Sequence, residues 1–290
     1  MTHGRADVEA LLDTWSLRPS RALGQNFVAD ANTVRRIVRL AGVGPADPVV
    51  EVGAGLGSLT LALVEAGAAV TAVEVDRHLI PVLRSELADR AVRIVEADAL
   101  RLDWGALLAG DGGDPGNERR AGGSGGGGGR PWSLVANLPY NVATPLVLRI
   151  LETQPTITRL LVMVQREVGE RLAASAGDEA YGAVSLRVQY FADATVVGRV
   201  SPNVFVPRPK VESALVSVVR RETVRVDPSV VSETELFSVI RTAFGQRRKM
   251  LRRSLADWTT DGVFERAHVE ETRRPEELTL EEFARLAASR

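Results

Sequence analysis

Three short apolar runs, separated by helical spacing and each running into glycine or acid, constrain this chain most. Val49-Val-Glu-Val52 leads into Gly53-Ala-Gly-Leu-Gly57, Ala69 to Val75 carries Glu74-Val-Asp76 at its end, and Val92-Arg-Ile-Val95 runs into Glu96-Ala-Asp98. Runs this short, rich in β-branched residues and lacking polar alternation, suit strands buried on both faces. Between them the period changes. Ser58 to Ala66 has helical spacing with Gly67 as a stop, and Leu79, Val82, Leu83 and Leu87 share a helix face. Upstream, Val34, Ile37, Val38 and Ala41 do the same over about 30–41. Strands alternating with helices predict an α/β fold with a parallel, doubly wound sheet.

The pattern continues with a strand at 133–136, a helix at 144–152, a strand at 160–165 and a helix at 165–174. Runs at 184–191, 194–200 and 214–220 read as further strands. Beyond about residue 222 the sequence is helical and charged, so 1–221 reads as the larger domain and 222–290 as a small helical one. Gly105 to Arg130 interrupts the larger domain. It is dominated by glycine and predicts a disordered surface insertion that contributes no core.

The glycine turn narrows the ligand. A dinucleotide fingerprint needs its third glycine one position later than Gly53-x-Gly55-x-Gly57 supplies, which disfavours nicotinamide and flavin cofactors. The shorter turn, preceded by Glu51, suits S-adenosylmethionine, which has no pyrophosphate to cradle. Glu74, at the end of the second strand, stands where a carboxylate bonds the ribose hydroxyls of an adenosine cofactor. Asp98 ends the third strand and is placed to bond the adenine amino group. Singly, each has an ordinary alternative as a turn glycine or a helix cap.

Asn137-Leu-Pro-Tyr140 ends the fourth strand, where ligands of open α/β sheets bind. It offers an amide, backbone carbonyls and an aromatic ring. Asn137 and the Leu138 or Pro139 carbonyl suit an exocyclic amino group, and Tyr140 suits stacking on the base. The alternative is a turn after a strand. Asn203 to Ser213 is a proline-stiffened loop in which Phe205 offers a second ring, with Arg208 and Lys210 beside it as phosphate contacts. Arg247, Arg248, Lys249, Arg252 and Arg253 crowd a helical-looking stretch, either a solvated face or a phosphate-binding one.

Composition excludes several chemistries. The chain has no cysteine, so disulfides, thiolate zinc sites and a cysteine nucleophile are out, and its three histidines are too scattered for a metal site. The net charge of -1 does not by itself announce a nucleic-acid partner. The first residues lack the apolar core of a signal peptide and no apolar run approaches a membrane span, so the expectation is a cytoplasmic protein.

These motifs resemble the ribosomal RNA adenine dimethyltransferases that act on small-subunit RNA, and the resemblance covers nearly the whole chain. It begins at Leu23-Gly-Gln-Asn-Phe-Val-Ala-Asp30 and runs through the glycine turn, Val73-Glu-Val-Asp76, Ala97-Asp98 and Asn137-Leu-Pro-Tyr140. It then takes in Gln165 to Arg171, Tyr181 to Ser185, Phe205 to Ser213, Phe244-Gly-Gln-Arg-Arg-Lys249 and Arg274-Pro-Glu-Glu-Leu278. The glycine-rich insertion departs from the family pattern. The resemblance implies a class I, Rossmann-like S-adenosylmethionine-dependent methyltransferase domain with a smaller helical carboxyl-terminal domain. It implies cofactor contacts at Asn26, the Val28 backbone, Gly53, Glu74, Asp98 and Asn137. By sequence alone Asn26 reads only as a helix-entry residue. The implied substrate is the small ribosomal subunit, dimethylated by a monomeric enzyme on two adjacent adenosines of a 3'-terminal hairpin loop. A large-subunit methyltransferase of the macrolide-resistance type, a DNA adenine methyltransferase and a non-catalytic assembly factor are the rivals. The carboxyl-terminal motifs favour the small-subunit enzyme over the first.

Overall fold

A computed structural model describes residues 2–110, 130–139 and 141–290. Its strands are β1 (Phe27–Val28), β2 (Pro48–Val52), β3 (Ala69–Glu74), β4 (Arg93–Glu96), β5 (Trp132–Asn137), β6 (Ile157–Gln165), β7 (Ala192–Val200), β8 (Phe205–Val206) and β9 (Ser213–Arg220). Seven of them form one sheet in the order β4-β3-β2-β5-β6-β9-β7. The sheet is parallel from β4 to β6, as the alternating pattern predicts, and β9 then joins β6 antiparallel. Strand order reverses between β2 and β5, whose carboxyl ends lie side by side with Val52 opposite Ala136. That switch point is where open α/β sheets bind ligands.

The helix Ala31–Ala41 starts where Asp30 accepts a hydrogen bond from Thr33 N at 2.6 Å and ends at Gly42 in the left-handed region. Asp30, not Asn26, is therefore the helix-entry residue. The helix buries Val34, Ile37 and Val38, and its core cluster takes in Val49, Leu63, Val135 and Leu161. The helix Ser58–Glu65 buries six successive residues from Ser58 to Leu63, which fixes the glycine turn before it.

The chain divides into two compact units, 1–169 with 196–219 and 170–195 with 220–290. The sequence-based division at 221/222 leaves 170–195 with the first domain, whereas here that stretch belongs with the second unit. Within it, 183–191 is a helix (Ala183–Phe191) rather than the expected strand. Its Ser185 Oγ donates to Arg171 O at 2.6 Å and Gln189 Nε2 to Ala174 O at 2.9 Å. These bonds, to the preceding helix Arg166–Ala173 and to the residue that follows it, override the β-branched and aromatic preference of the segment.

Two further expectations change. The glycine-rich insertion begins later than its composition suggests, because Gly105 lies in the helix Trp104–Ala109, capped by Asp103, with Trp104 and Leu107 buried. Most of the remaining insertion, 111–129, lies outside the described residues. The basic stretch at 247–253 is not one helix face: Arg247, Arg248 and Lys249 lie in the turn after the helix Glu233–Phe244, and Arg252 and Arg253 in the short helix Leu251–Ser254.

Candidate active site

One cavity in the first unit gathers the ends of β2, β3, β4 and β5 together with the Leu23–Val28 segment. Asn26, Val28, Gly53, Glu74, Asp98, Asn137, Pro139 and Phe205 all line it. The glycine turn adopts backbone open to few other residues, with φ of 76°, 60° and 88° at Gly53, Gly55 and Gly57. A side chain at Gly53 would grow towards Asn137 O and Pro139, 3.5 and 4.0 Å from its Cβ. Glycine there keeps the space between the two loops open.

Glu74 is buried and its carboxylate is held by backbone. Oε2 accepts from Gly55 N at 2.8 Å, while Oε1 accepts from Val75 N at 2.8 Å and Asp76 N at 2.9 Å. Burial pushes its pKa up, and the three N–H donors oppose that rise. Glu51 is the contrasting acid. It has one hydroxyl donor, Thr60 Oγ1 at 2.6 Å, and burial, opposed by that bond and reinforced by the Glu74 charge, pushes its carboxyl up to about 8. Asp98 is more open, and its Oδ1 accepts from Leu100 N at 2.9 Å.

Asn137 ends β5 and its orientation is set by a single partner. Nδ2 donates to Asn26 O at 3.0 Å, leaving Oδ1 as the acceptor for a ligand N–H. Asn26 closes its own loop by donating from Nδ2 to Gly24 O at 3.1 Å. Pro139 O already accepts from Val142 N at 3.0 Å and Ala143 N at 3.1 Å, the start of the next helix. Of the two carbonyls weighed for the amino group, Pro139 O is thus already engaged by the start of that helix. Phe205 lines the cavity but is only 2% exposed, packed in the core cluster with Val28, Leu161 and Met163. β8 pairs antiparallel with β1, placing Phe205 opposite Val28. Tyr140 lies outside the described residues.

The candidate phosphate contacts fall in two places. Arg208 and Lys210 are exposed on the loop after β8. In the second unit Arg248, Lys249 and Arg252 are exposed, whereas Arg247 is half-buried, pairing with Glu276 and donating to Glu179 O, both at 2.6 Å. Arg252 pairs with Glu271 at 3.4 Å. Sequence reasoning missed Gln25, Thr60 and Asp76. All three lie in or beside the motifs, but only their bonding partners mark them out.

The donor set tests the cofactor. Glu51, Glu74 and Asp98 line the cavity, and no lysine, arginine or histidine is among its lining residues. A pyrophosphate would be repelled there, while a ligand with ribose hydroxyls, a sulfonium and an ammonium group fits. Sheet order and site together define a class I S-adenosylmethionine-dependent methyltransferase. The family model for ribosomal RNA adenine dimethylase matches residues 17–289, and the chain belongs to that family. It is 46% identical to the ribosomal RNA small subunit methyltransferase A of Streptomyces avermitilis, over 99% of this chain and 93% of that protein. It is 47% identical to the protein of the same name from Streptomyces coelicolor, over 98% and 95%. The fold is shared with the 23S rRNA methyltransferase ErmE (TM-score 0.68, 23% identity, covering 91% of this chain and 99% of that one). It is shared equally with a dimethyladenosine transferase from Plasmodium falciparum (TM-score 0.68, 21% identity, 89% and 94%). Among the described residues no helix is long and apolar enough to cross a membrane, and no cluster of side chains is suited to a metal ion.

Proposed function

We propose that this enzyme dimethylates the exocyclic amino group of two adjacent adenosines in a 3'-terminal hairpin loop of small-subunit ribosomal RNA. The names of its relatives at 46–47% identity support the choice of subunit. The observation that carries the chemistry is the Asn137 amide, fixed by Asn26 O so that Oδ1 remains an acceptor beside the carboxylate-lined cavity.

Asn26, the Val28 backbone, Gly53, Glu74, Asp98 and Asn137 hold the cofactor in this reading, with Glu74 on the ribose and Asp98 on the adenine. S-adenosylmethionine, when bound, supplies a methyl group already activated on a sulfonium, so the protein's task is positioning. The adenine amino nitrogen is a poor nucleophile because its lone pair is delocalised into the ring. Hydrogen bonds from that amino group to Asn137 Oδ1 and Leu138 O favour a pyramidal nitrogen. They strengthen as positive charge develops, which stabilises the transition state more than the ground state. Tyr140 is assigned to stack on the extruded base on sequence grounds, a contact worth about 1–3 kcal/mol. The base must be unpaired or splayed out, because helical RNA hides its edges. Arg208, Lys210, Arg248, Lys249 and Arg252 are the proposed phosphate contacts of a monomeric enzyme.

Labelled methyl transfer to unmethylated small and large ribosomal subunits, with mapping of the modified base, tests this reading. Two dimethylated adenines in small-subunit RNA are expected. Label confined to large-subunit RNA would overturn it in favour of a macrolide-resistance type of activity.

A further inference from the structure

Gln25 ties the cavity wall at 23–26 both to its own loop and to the segment after β3. Its Oε1 accepts from Ser20 N at 2.7 Å and its backbone N–H donates to Ser20 O at 3.1 Å. Leu23 N donates to Ser20 Oγ at 3.3 Å, so the Ser20–Gln25 loop is closed on itself. Gln25 Nε2 then donates to Asp76 Oδ2 at 2.7 Å, tying this loop to the segment after β3. The other Asp76 oxygen accepts from His78 N at 2.9 Å, and Asp76 N is one of the three donors holding the Glu74 carboxylate. The residue after Gln25 supplies the carbonyl that orients Asn137.

We propose that Gln25 is a positioning residue that sets the Leu23–Asn26 wall against both ends of the site. Through Asp76 it acts on the carboxylate assigned to the ribose, and through Asn26 it acts on the amide assigned to the target base. The position needs an amide because it must accept from an N–H and donate to a carboxylate at once. A carboxylate there would accept from Ser20 N but oppose Asp76, and an apolar side chain would make neither bond. The inference rests on the S-adenosylmethionine reading of the cavity.

The pair can be tested by reversing its polarity. Gln25→Glu places two carboxylates face to face, whereas Gln25→Glu combined with Asp76→Asn exchanges donor and acceptor and satisfies every partner again. Titration calorimetry with S-adenosylmethionine at pH 8, beside single-turnover methylation of small-subunit RNA, reads both ends of the site. Gln25→Glu should weaken cofactor binding about tenfold, the scale of one lost charge-assisted hydrogen bond, and slow methyl transfer at saturating cofactor. The double variant should recover to within about threefold of the parent in both. Asp76→Asn alone should weaken binding like Gln25→Glu, which keeps the test open if that variant does not fold. Unchanged cofactor affinity in Gln25→Glu, or a double variant no better than either single one, overturns the proposal. An unsubstituted enzyme that does not bind S-adenosylmethionine overturns the cofactor reading itself, and the proposal with it.

Discussion

Asn137 Nδ2 donates to the backbone oxygen of Asn26 at 3.0 Å, across 111 positions of sequence. A carbonyl can only accept, so this bond fixes which end of the Asn137 amide is left for a ligand. Asn137→Asp removes the donor and sets a carboxylate against the Asn26 carbonyl. Single-turnover methylation by Asn137→Asp should fall at least about 100-fold at pH 8, the scale of losing one preorganised polar contact at a reacting centre.

Glu74 accepts three backbone N–H bonds, so a neutral amide cannot replace it without turning an NH2 group towards at least one donor. Glu74→Gln should weaken S-adenosylmethionine binding at least about tenfold and lower the melting temperature. Calorimetry and thermal unfolding check both outcomes together.

Glu51 makes stability depend on pH. Its folded-state pKa of about 8 lies above the ordinary 4.5, so between those values the folded chain holds a proton that the unfolded chain releases. Stability therefore falls as pH rises through that window. Glu51→Gln keeps an acceptor for Thr60 and removes the titration. Thermal unfolding from pH 5 to 9 should show a flatter profile for the variant, with a melting temperature at pH 9 at least about 3 °C above the parent.

The basic turn of the second unit should separate into structural and RNA-facing residues. Arg247→Ala loses Glu276 and Glu179 O and should lower the melting temperature. Arg248→Ala with Lys249→Ala should leave melting within about 1 °C and reduce the slope of log affinity against log salt by roughly 0.7–0.9 per phosphate contact removed. Salt-dependent binding of small-subunit RNA reads that slope, and an unchanged value removes these two residues from the interface.

Local pattern made the parallel half of the sheet legible. β2, β3, β4 and β5 each fall within about a residue of their apolar runs, and Asp30 and Gly42 bound their helix as cap chemistry requires. The site motifs were legible because α/β folds bring strand ends to one crevice, and Gly53, Glu74, Asp98 and Asn137 do line one cavity. Where tertiary contact decides, the sequence misled. The helix at 183–191 depends on bonds from Ser185 and Gln189 to Arg171 O and Ala174 O, in and just after the helix before it. The packing of Phe205 against Leu161 and Met163, which leaves it only 2% exposed where it lines the cavity, was likewise not legible in its local sequence. The link from Gln25 to Asp76 joins residues 51 positions apart, and no spacing rule reveals it.

The central claim is that the Asn137 amide, oriented by Asn26, holds the amino group that is methylated. It is tested most directly by mass spectrometry of small-subunit RNA after incubation with the parent enzyme and with Asn137→Ala, each at saturating S-adenosylmethionine. The parent should yield two adjacent dimethyladenosines, and Asn137→Ala essentially none even at S-adenosylmethionine concentrations that saturate the variant. Undiminished dimethylation by Asn137→Ala would contradict the account.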